Sequence, residues 1–288
     1  MADSIEMQDI RGLDIDKAVK GFALIDYTFK SECEQSSMTG DSIRWYQETS
    51  EDLTATAPSV VANISPLATF PTLEPTWTRN TSYPRKYAAE GFLSMEDIKS
   101  ADIDVIARTL LRLTRAVTKQ VDTRIYTQLT TATGVQTFAT TDDATHTEWN
   151  GTSGAIVYDL LEAKKMIYDY GYNPEGASLI VNQVEYRTIV NWLIDTKGSS
   201  IPQFASDKIS SGVVMNLLGL NVKVSQNATT TQALVVVPKQ AATWKTYSPI
   251  TSRAIEEPGI GTKLRVWELG EIIVTDPKAC VVITATTS

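Results

Sequence analysis

Between Asp102 and Leu129 the apolar residues Ile103, Ile106, Leu110, Leu113, Val117, Val121 and Ile125 return at intervals of three and four. That period gathers side chains onto one face of an α-helix. At 1.5 Å per residue it predicts a rod roughly 42 Å long, the longest regular element of the chain. The other side of this rod carries Arg108, Arg112, Arg115, Lys119 and Arg124, so one flank is basic. Ion pairing with acidic residues of the N-terminal arm or of neighbouring subunits is one use for that flank, and contact with DNA is another. A shorter amphipathic helix is predicted over Asp14 to Glu32. Two more are predicted, from Ser153 to Tyr170, stopped by Gly171, and from Val184 to Leu193. Strands are read at Ile43 to Gln47, Arg85 to Ser94, Ser178 to Asn182 and Leu218 to Ser225. Further strands are read at Ala233 to Pro238, Lys263 to Leu269 and Cys280 to Ala285, from β-branched content. Ser94 opens a helix signal with Asp97 at the third position. Helices and strands mix without a regular βαβ repeat, so the fold class is α+β.

The segment Glu48 to Pro84 breaks this pattern. It holds Pro58, Pro66, Pro71, Pro75 and Pro84 among many threonines, and proline removes a backbone donor that helices and central strands need. A structureless loop of that length is improbable inside a compact domain, so a projecting ribbon laid across a neighbour is expected. The aromatics Trp45, Trp77, Tyr83 and Tyr87 around it are the inter-subunit contact candidates, because such side chains commonly anchor interfaces. A role within one subunit stands beside that reading.

Composition narrows the function. The chain has 288 residues, 42% of them hydrophobic, a formal net charge of −8 and a pI near 4.8. That is a globular composition, and the acidity argues against a dedicated phosphate-gripping surface. Cys33 and Cys280 have neither metal-site nor disulfide-framework spacing. The N-terminus is acidic where a signal peptide is basic, and no run approaches a membrane span, so a soluble, cytoplasmically made chain, complete from Met1, is expected. The one histidine, His146, lies in a polar loop beside Asp142 and Asp143. A solvated loop explains it better than a metal site or a Ser/His/Asp set, for which no Gly-x-Ser-x-Gly elbow exists. Gly259-Ile-Gly261 lacks the rest of a dinucleotide fingerprint and reads as a turn. No catalytic, cofactor-binding or metal-ligating residue is therefore predicted, and no cofactor.

Four local sequences, in order, carry a resemblance. They are Lys86-Tyr-Ala-Ala-Glu-Gly-Phe-Leu-Ser-Met-Glu-Asp97, Leu179-Ile-Val-Asn-Gln-Val-Glu-Tyr-Arg187, Leu217-Leu-Gly-Leu-Asn-Val222, and Trp267-Glu-Leu-Gly-Glu-Ile-Ile-Val-Thr-Asp-Pro-Lys-Ala279. With the long loop and long helix, they resemble the HK97-type major capsid proteins of tailed double-stranded-DNA viruses over roughly residues 40 to 285. The resemblance implies an N-terminal arm (1–41), an extended E-loop with its strands (42–93) and a P-domain spine helix with its connection (94–150). It further implies an A-domain (151–232) and closing strands shared by the P- and A-domains (233–288). It implies a non-enzymatic protein that self-assembles into an icosahedral shell of hexamers and pentamers around a DNA genome, located in the virion after assembly in the host cytoplasm. Its implied partners are itself, a portal protein, a separate scaffold or cement protein, and packaged DNA by enclosure, with no membrane. Some relatives weld neighbours through an E-loop lysine, but no lysine occurs between Lys30 and Lys86, so non-covalent contacts are expected. Some also carry a longer cleaved N-terminal scaffolding segment. Two other readings stand beside this one: an encapsulin-like nanocompartment subunit, and a soluble α+β enzyme using carboxylate chemistry.

Overall fold

The computed structural model describes residues 27–48, 64–69, 77–100, 104–151, 153–193 and 216–287. Twelve strands and four helices are assigned among these residues. β1 (Glu34–Ser37) leads to a hairpin-like ribbon of β2 (Ile43–Glu48) and β3 (Trp77–Ser82), then to β4 (Arg85–Ser94). α1 (Met95–Ser100) and the 27-residue α2 (Val105–Thr131) follow. β5 (Gln136–Ala139), α3 (Ile156–Tyr168), β6 (Ser178–Val181), α4 (Gln183–Trp192), β7 (Asn216–Leu217), β8 (Leu220–Val224) and β9 (Gln232–Val236) come next. The chain closes with β10 (Ala242–Glu257), β11 (Gly261–Val274) and β12 (Cys280–Thr284). The sheets are a four-stranded one, β1-β10-β11-β4, a six-stranded one, β5-β12-β9-β6-β8-β7, and the β2-β3 ribbon.

Local chemistry accounts for the boundaries. Ser94 Oγ accepts the backbone N–H of Asp97 at 3.1 Å, the cap read from the sequence, and Asp104 Oδ1 accepts that of Ala107 at 2.9 Å to start α2. Past α3, Gly171 adopts φ +80°, open to glycine at little cost. Leu218 (φ +54°) and Gly219 (φ +79°) form the turn between β7 and β8, so the strand expected from Leu218 begins at Leu220. The helix expected from Ser153 starts at Ile156. Of the helix expected over Asp14 to Glu32, residues 14–26 lie outside the described residues and the remainder is turn. The two-residue β7, Asn216–Leu217, has no counterpart in the sequence reading.

The largest correction is β10, 16 residues long and absent from the sequence reading. Its residues are mostly polar and its burial is irregular, because only one face is covered and the pairing with β11 shifts register around Ser248 to Thr251, where Pro249 sits. The short strands β1, β3 and β5 were likewise not read.

α2 packs on β11 and β4 and joins two cores. Leu110 and Val117 meet Leu93, Ile250, Leu264 and Val266, while Val121, Ile125, Tyr126 and Leu129 reach the large core under the six-stranded sheet. Burial of each such side chain contributes about 1.5–3 kcal/mol. Of the expected stripe, Leu110, Val117, Val121 and Ile125 are buried, whereas Ile106 and Leu113 are half-buried. Ile103 lies outside the described residues.

Candidate functional site

Three surfaces gather the sequence-predicted residues. The first is a buried ionic junction where residues 27–33, α2, β4, β10 and β11 meet. Asp122, fully buried on α2, accepts backbone N–H bonds from Thr28 (2.7 Å), Phe29 (3.4 Å) and Lys30 (3.2 Å). Burial pushes its carboxyl up to about 6 against the opposing pull of those donors. Glu268 of β11, also fully buried, accepts Lys30 Nζ at 2.5 Å and the Tyr27 hydroxyl. Burial and the Glu268 charge drive the Tyr27 phenol far upward. Lys30 Nζ stands 4.2 Å from the Tyr27 ring centre and 5.4 Å from that of Trp244. The indole of Trp244 lies on Gly270, where a Cβ would come within 2.6 Å of it, so β11 needs glycine there. Glu271 completes the junction: Arg124 binds its Oε1 at 2.8 Å and Arg85 Nε approaches its Oε2 at 3.1 Å.

Two of the predicted residues make contacts within their own chain at this junction. Arg124 is spent on Glu271 of its own chain. Tyr87 packs against Trp244, ring centres 6.4 Å apart, and burial pushes its phenol up to about 12. The sequence reading missed Tyr27, Lys30, Asp122, Glu268 and Glu271. The usable signal was Glu268 and Glu271 standing inside an apolar β-branched run, since a charge in a buried strand needs a partner.

The second surface is the β2-β3 ribbon. Ile43 roots it in the core, Tyr46 is 61% exposed, and Tyr83 beyond it is 67% exposed. Trp45 is half-buried, with its indole nitrogen buried and without a hydrogen-bond partner among the described residues, and the side chain of Trp77 lies outside the described residues. Of the long loop, residues 64–69 are described and all are exposed. They form a turn in which Ala68 N–H bonds Ser65 O at 3.0 Å, with Leu67 at φ +69° and fully open to solvent. The expectation that Thr54 to Trp77 lies across a neighbour falls mostly outside the described residues.

The third surface is the helix flank. Arg108, Arg112, Arg115 and Lys119 are all exposed on α2. At 100° per residue they fall within an arc of about 60°, a straight stripe facing away from the sheet.

Several carboxylates elsewhere are hydrogen-bonded within the fold. A cavity of about 610 Å³ beside β5 and α3 is lined by Asp142, Asp143, Asp159 and Glu162. Asp142 and Asp143 accept loop N–H bonds from Ala139 and Thr145. Asp159 accepts the Trp149 indole N–H at 2.7 Å, and burial pushes its carboxyl up to about 6. His146 lies edge-on to Tyr158, 4.6 Å between ring centres, and 3.9 Å from Asp143. Glu185, fully buried on α4, accepts Thr231 N–H and the Thr287 hydroxyl. Cys33 and Cys280 are free and buried, both thiols pushed up to about 12 by desolvation.

The long helix thus lies on the four-stranded sheet, and the chain adds an exposed two-stranded ribbon and a six-stranded sheet. The sequence model of a family described as phage capsid protein matches residues 81–283. The chain belongs to the phage capsid protein family. No curated protein sequence matches it. Solved structures share the fold at low identity. The capsid of Cyanophage P-SCSP1u superposes with a TM-score of 0.65 at 13% identity, covering 91% of this chain and 89% of that one. The Mycobacterium phage Che8 structure does so at 0.63 and 14%, covering 91% and 93%. A virus-like particle from Pyrococcus furiosus does so at 0.64 and 11%, covering 95% and 99%. This capsid protein therefore has the α+β, HK97-type fold expected from its sequence.

Proposed function

We propose that this capsid protein is the major subunit of an icosahedral shell of hexamers and pentamers around the double-stranded DNA of a tailed phage. The family match over 81–283, on a fold shared with the cyanophage capsid along 91% of the chain, carries the reading. The subunit acts by assembly and not by catalysis. It encloses packaged DNA, meets a portal protein and a separate scaffold or cement protein, and resides in the virion after assembly in the host cytoplasm. Residues 1–41 serve as the arm, 42–93 as the E-loop and 94–150 as the P-domain spine with its connection. Residues 151–232 form the A-domain, and 233–288 supply strands to both domains. In support, β10 and β11 lie in the sheet under α2 while β9 and β12 lie in the six-stranded sheet. β5, inside 94–150, also joins the six-stranded sheet, which favours moving that boundary to the end of α2. Exposed Tyr46, Leu67 and Tyr83 are the described side chains best placed to meet a neighbour.

Electron microscopy of the purified full chain tests this. Closed particles are expected, running as single chains on a denaturing gel after boiling; a small monodisperse oligomer overturns the reading. The likeness to the Pyrococcus furiosus virus-like particle favours a second reading, an encapsulin-like compartment. Nuclease-protected DNA inside particles made during infection supports the first, and an enclosed protein cargo the second.

A further inference from the structure

We infer that the basic stripe of α2 and the groove beside it are the docking surface for the acidic N-terminal segment of the same chain, residues 1–26. The inference does not depend on shell assembly. Its starting point is where the described chain begins. Thr28, Phe29 and Lys30 are bound to Asp122, which lies one step around the helix from the stripe. Thr28 itself lines a groove of about 410 Å³ whose other walls are Arg115, Thr118 and Lys119 of α2 and Val224 to Asn227 after β8. The preceding residues are therefore tethered at the mouth of a groove with two cationic side chains in its wall.

Charge and length complete the argument. Residues 1–26 carry six acidic groups, Asp3, Glu6, Asp9, Asp14, Asp16 and Asp26, against three basic ones, Arg11, Lys17 and Lys20, and five of the six acidic groups lie within residues 1–16. From Lys119 to Arg108 the stripe runs about 16 Å, and residues 9–26 span about 26 Å even when wound as a helix, so Asp9, Asp14 and Asp16 reach every cation on it. A short tether holds the segment at an effective concentration of about millimolar, which outcompetes a free acidic partner of equal intrinsic affinity. The net charge of −8 weighs against DNA as the occupant.

The test is a disulfide scan in the full-length protein, with Arg112→Cys combined in turn with Asp9→Cys, Asp14→Cys or Asp16→Cys under mild oxidation. Cys33 and Cys280 are buried with thiols pushed up to about 12, so they do not compete. At least one pair is expected to close within a single chain, seen by peptide mapping. In parallel, trypsin cleavage at Lys17 and Lys20 is expected to slow by at least about tenfold relative to the Arg108→Glu/Arg112→Glu variant. Adding Asp14→Lys/Asp16→Lys to that variant should return the protection. Disulfides between chains overturn the inference in favour of a second copy. Protection lost on nuclease treatment overturns it in favour of nucleic acid. Failure of every pair, with wild-type cleavage as fast as in the variant, overturns it outright.

Discussion

The two sheets of this subunit are stabilised by different chemistry. In the six-stranded sheet, Ser178–Val181 is wholly buried, as are Ala233–Val236 and Cys280–Ile283, with α3 on β12 and α4 on β6. Strands covered on both faces need no alternation, and apolar bulk alone drives them inside. In the four-stranded sheet, Leu264, Val266 and Glu268 of β11 face α2 while Arg265 is exposed. That covered face ends in charges, with Glu268, Glu271 and Asp122 each fully buried and each engaged by groups remote in sequence. The contrast separates two jobs. Apolar burial supplies driving force without direction, whereas a desolvated carboxylate tolerates only the arrangement that brings its partners. The ionic junction thus sets one relative placement for the arm, the long helix and the closing hairpin.

The sharpest break of the contrast is a charge in the apolar half. Val235→Asp puts an unpaired carboxylate between β6 and β12, at a cost of several kcal/mol that rivals the stability of a domain. Insoluble or unfolded protein is expected. Leu110→Asp should behave alike, and Leu113→Asp more mildly, since Leu113 is half-buried. Next, Lys30→Met leaves Glu268 without its cation and should cost about 3–5 kcal/mol in denaturant unfolding, while Lys30→Met/Glu268→Met recovers most of it. If the single variant unfolds like wild type, the junction is not a constraint.

A pH experiment probes the same junction. The Asp122 carboxyl is at about 6 in the folded chain, above the unfolded value of about 3.9. The folded state therefore binds more protons between these values, and stability gained below pH 4 is lost as pH rises through 6. From pH 7.5 down to pH 5 this group should add stability on the order of 1 kcal/mol, read as a higher Tm whose pH dependence shrinks in Asp122→Asn. Smallest of all is the effect of Arg112→Ala, expected within about 0.5 kcal/mol of wild type because the side chain is exposed. Arg124→Ala, removing a cation from buried Glu271, should cost several times more. Equal effects from the two arginines would erase the distinction between stripe and junction.

Much of this was legible beforehand. α2 was read to within three residues and β4 with its serine cap without error, and the Asp276-Pro-Lys-Ala279 end of the fourth quoted segment forms a 3-10 turn at Pro277–Ala279. Of the Glu48 to Pro84 stretch, the described residues include the exposed turn at 64–69 and β3 of the β2-β3 ribbon. β10 was not legible, because Thr243 to Glu257 is polar and interrupted by Pro249. Its strand conformation is supplied by hydrogen bonds to β11, a partner whose own apolar period is clear. The intrachain partners of Tyr87 and Arg124 were not legible for a related reason: an aromatic or arginine has the same local sequence whether it meets its own chain or another.

Helix period, apolar runs and proline placement are properties of neighbouring residues, so they were sufficient for α2, α4, the buried strands and the class of fold. Contacts that span the chain are not. Tyr27 meets Glu268 and Thr28 meets Asp122 only after β10 and β11 have paired and α2 has settled on them. A carboxylate in sequence carries no sign of the cation that will face it; that partner is chosen by which segments the packed sheet and helix bring within hydrogen-bonding distance.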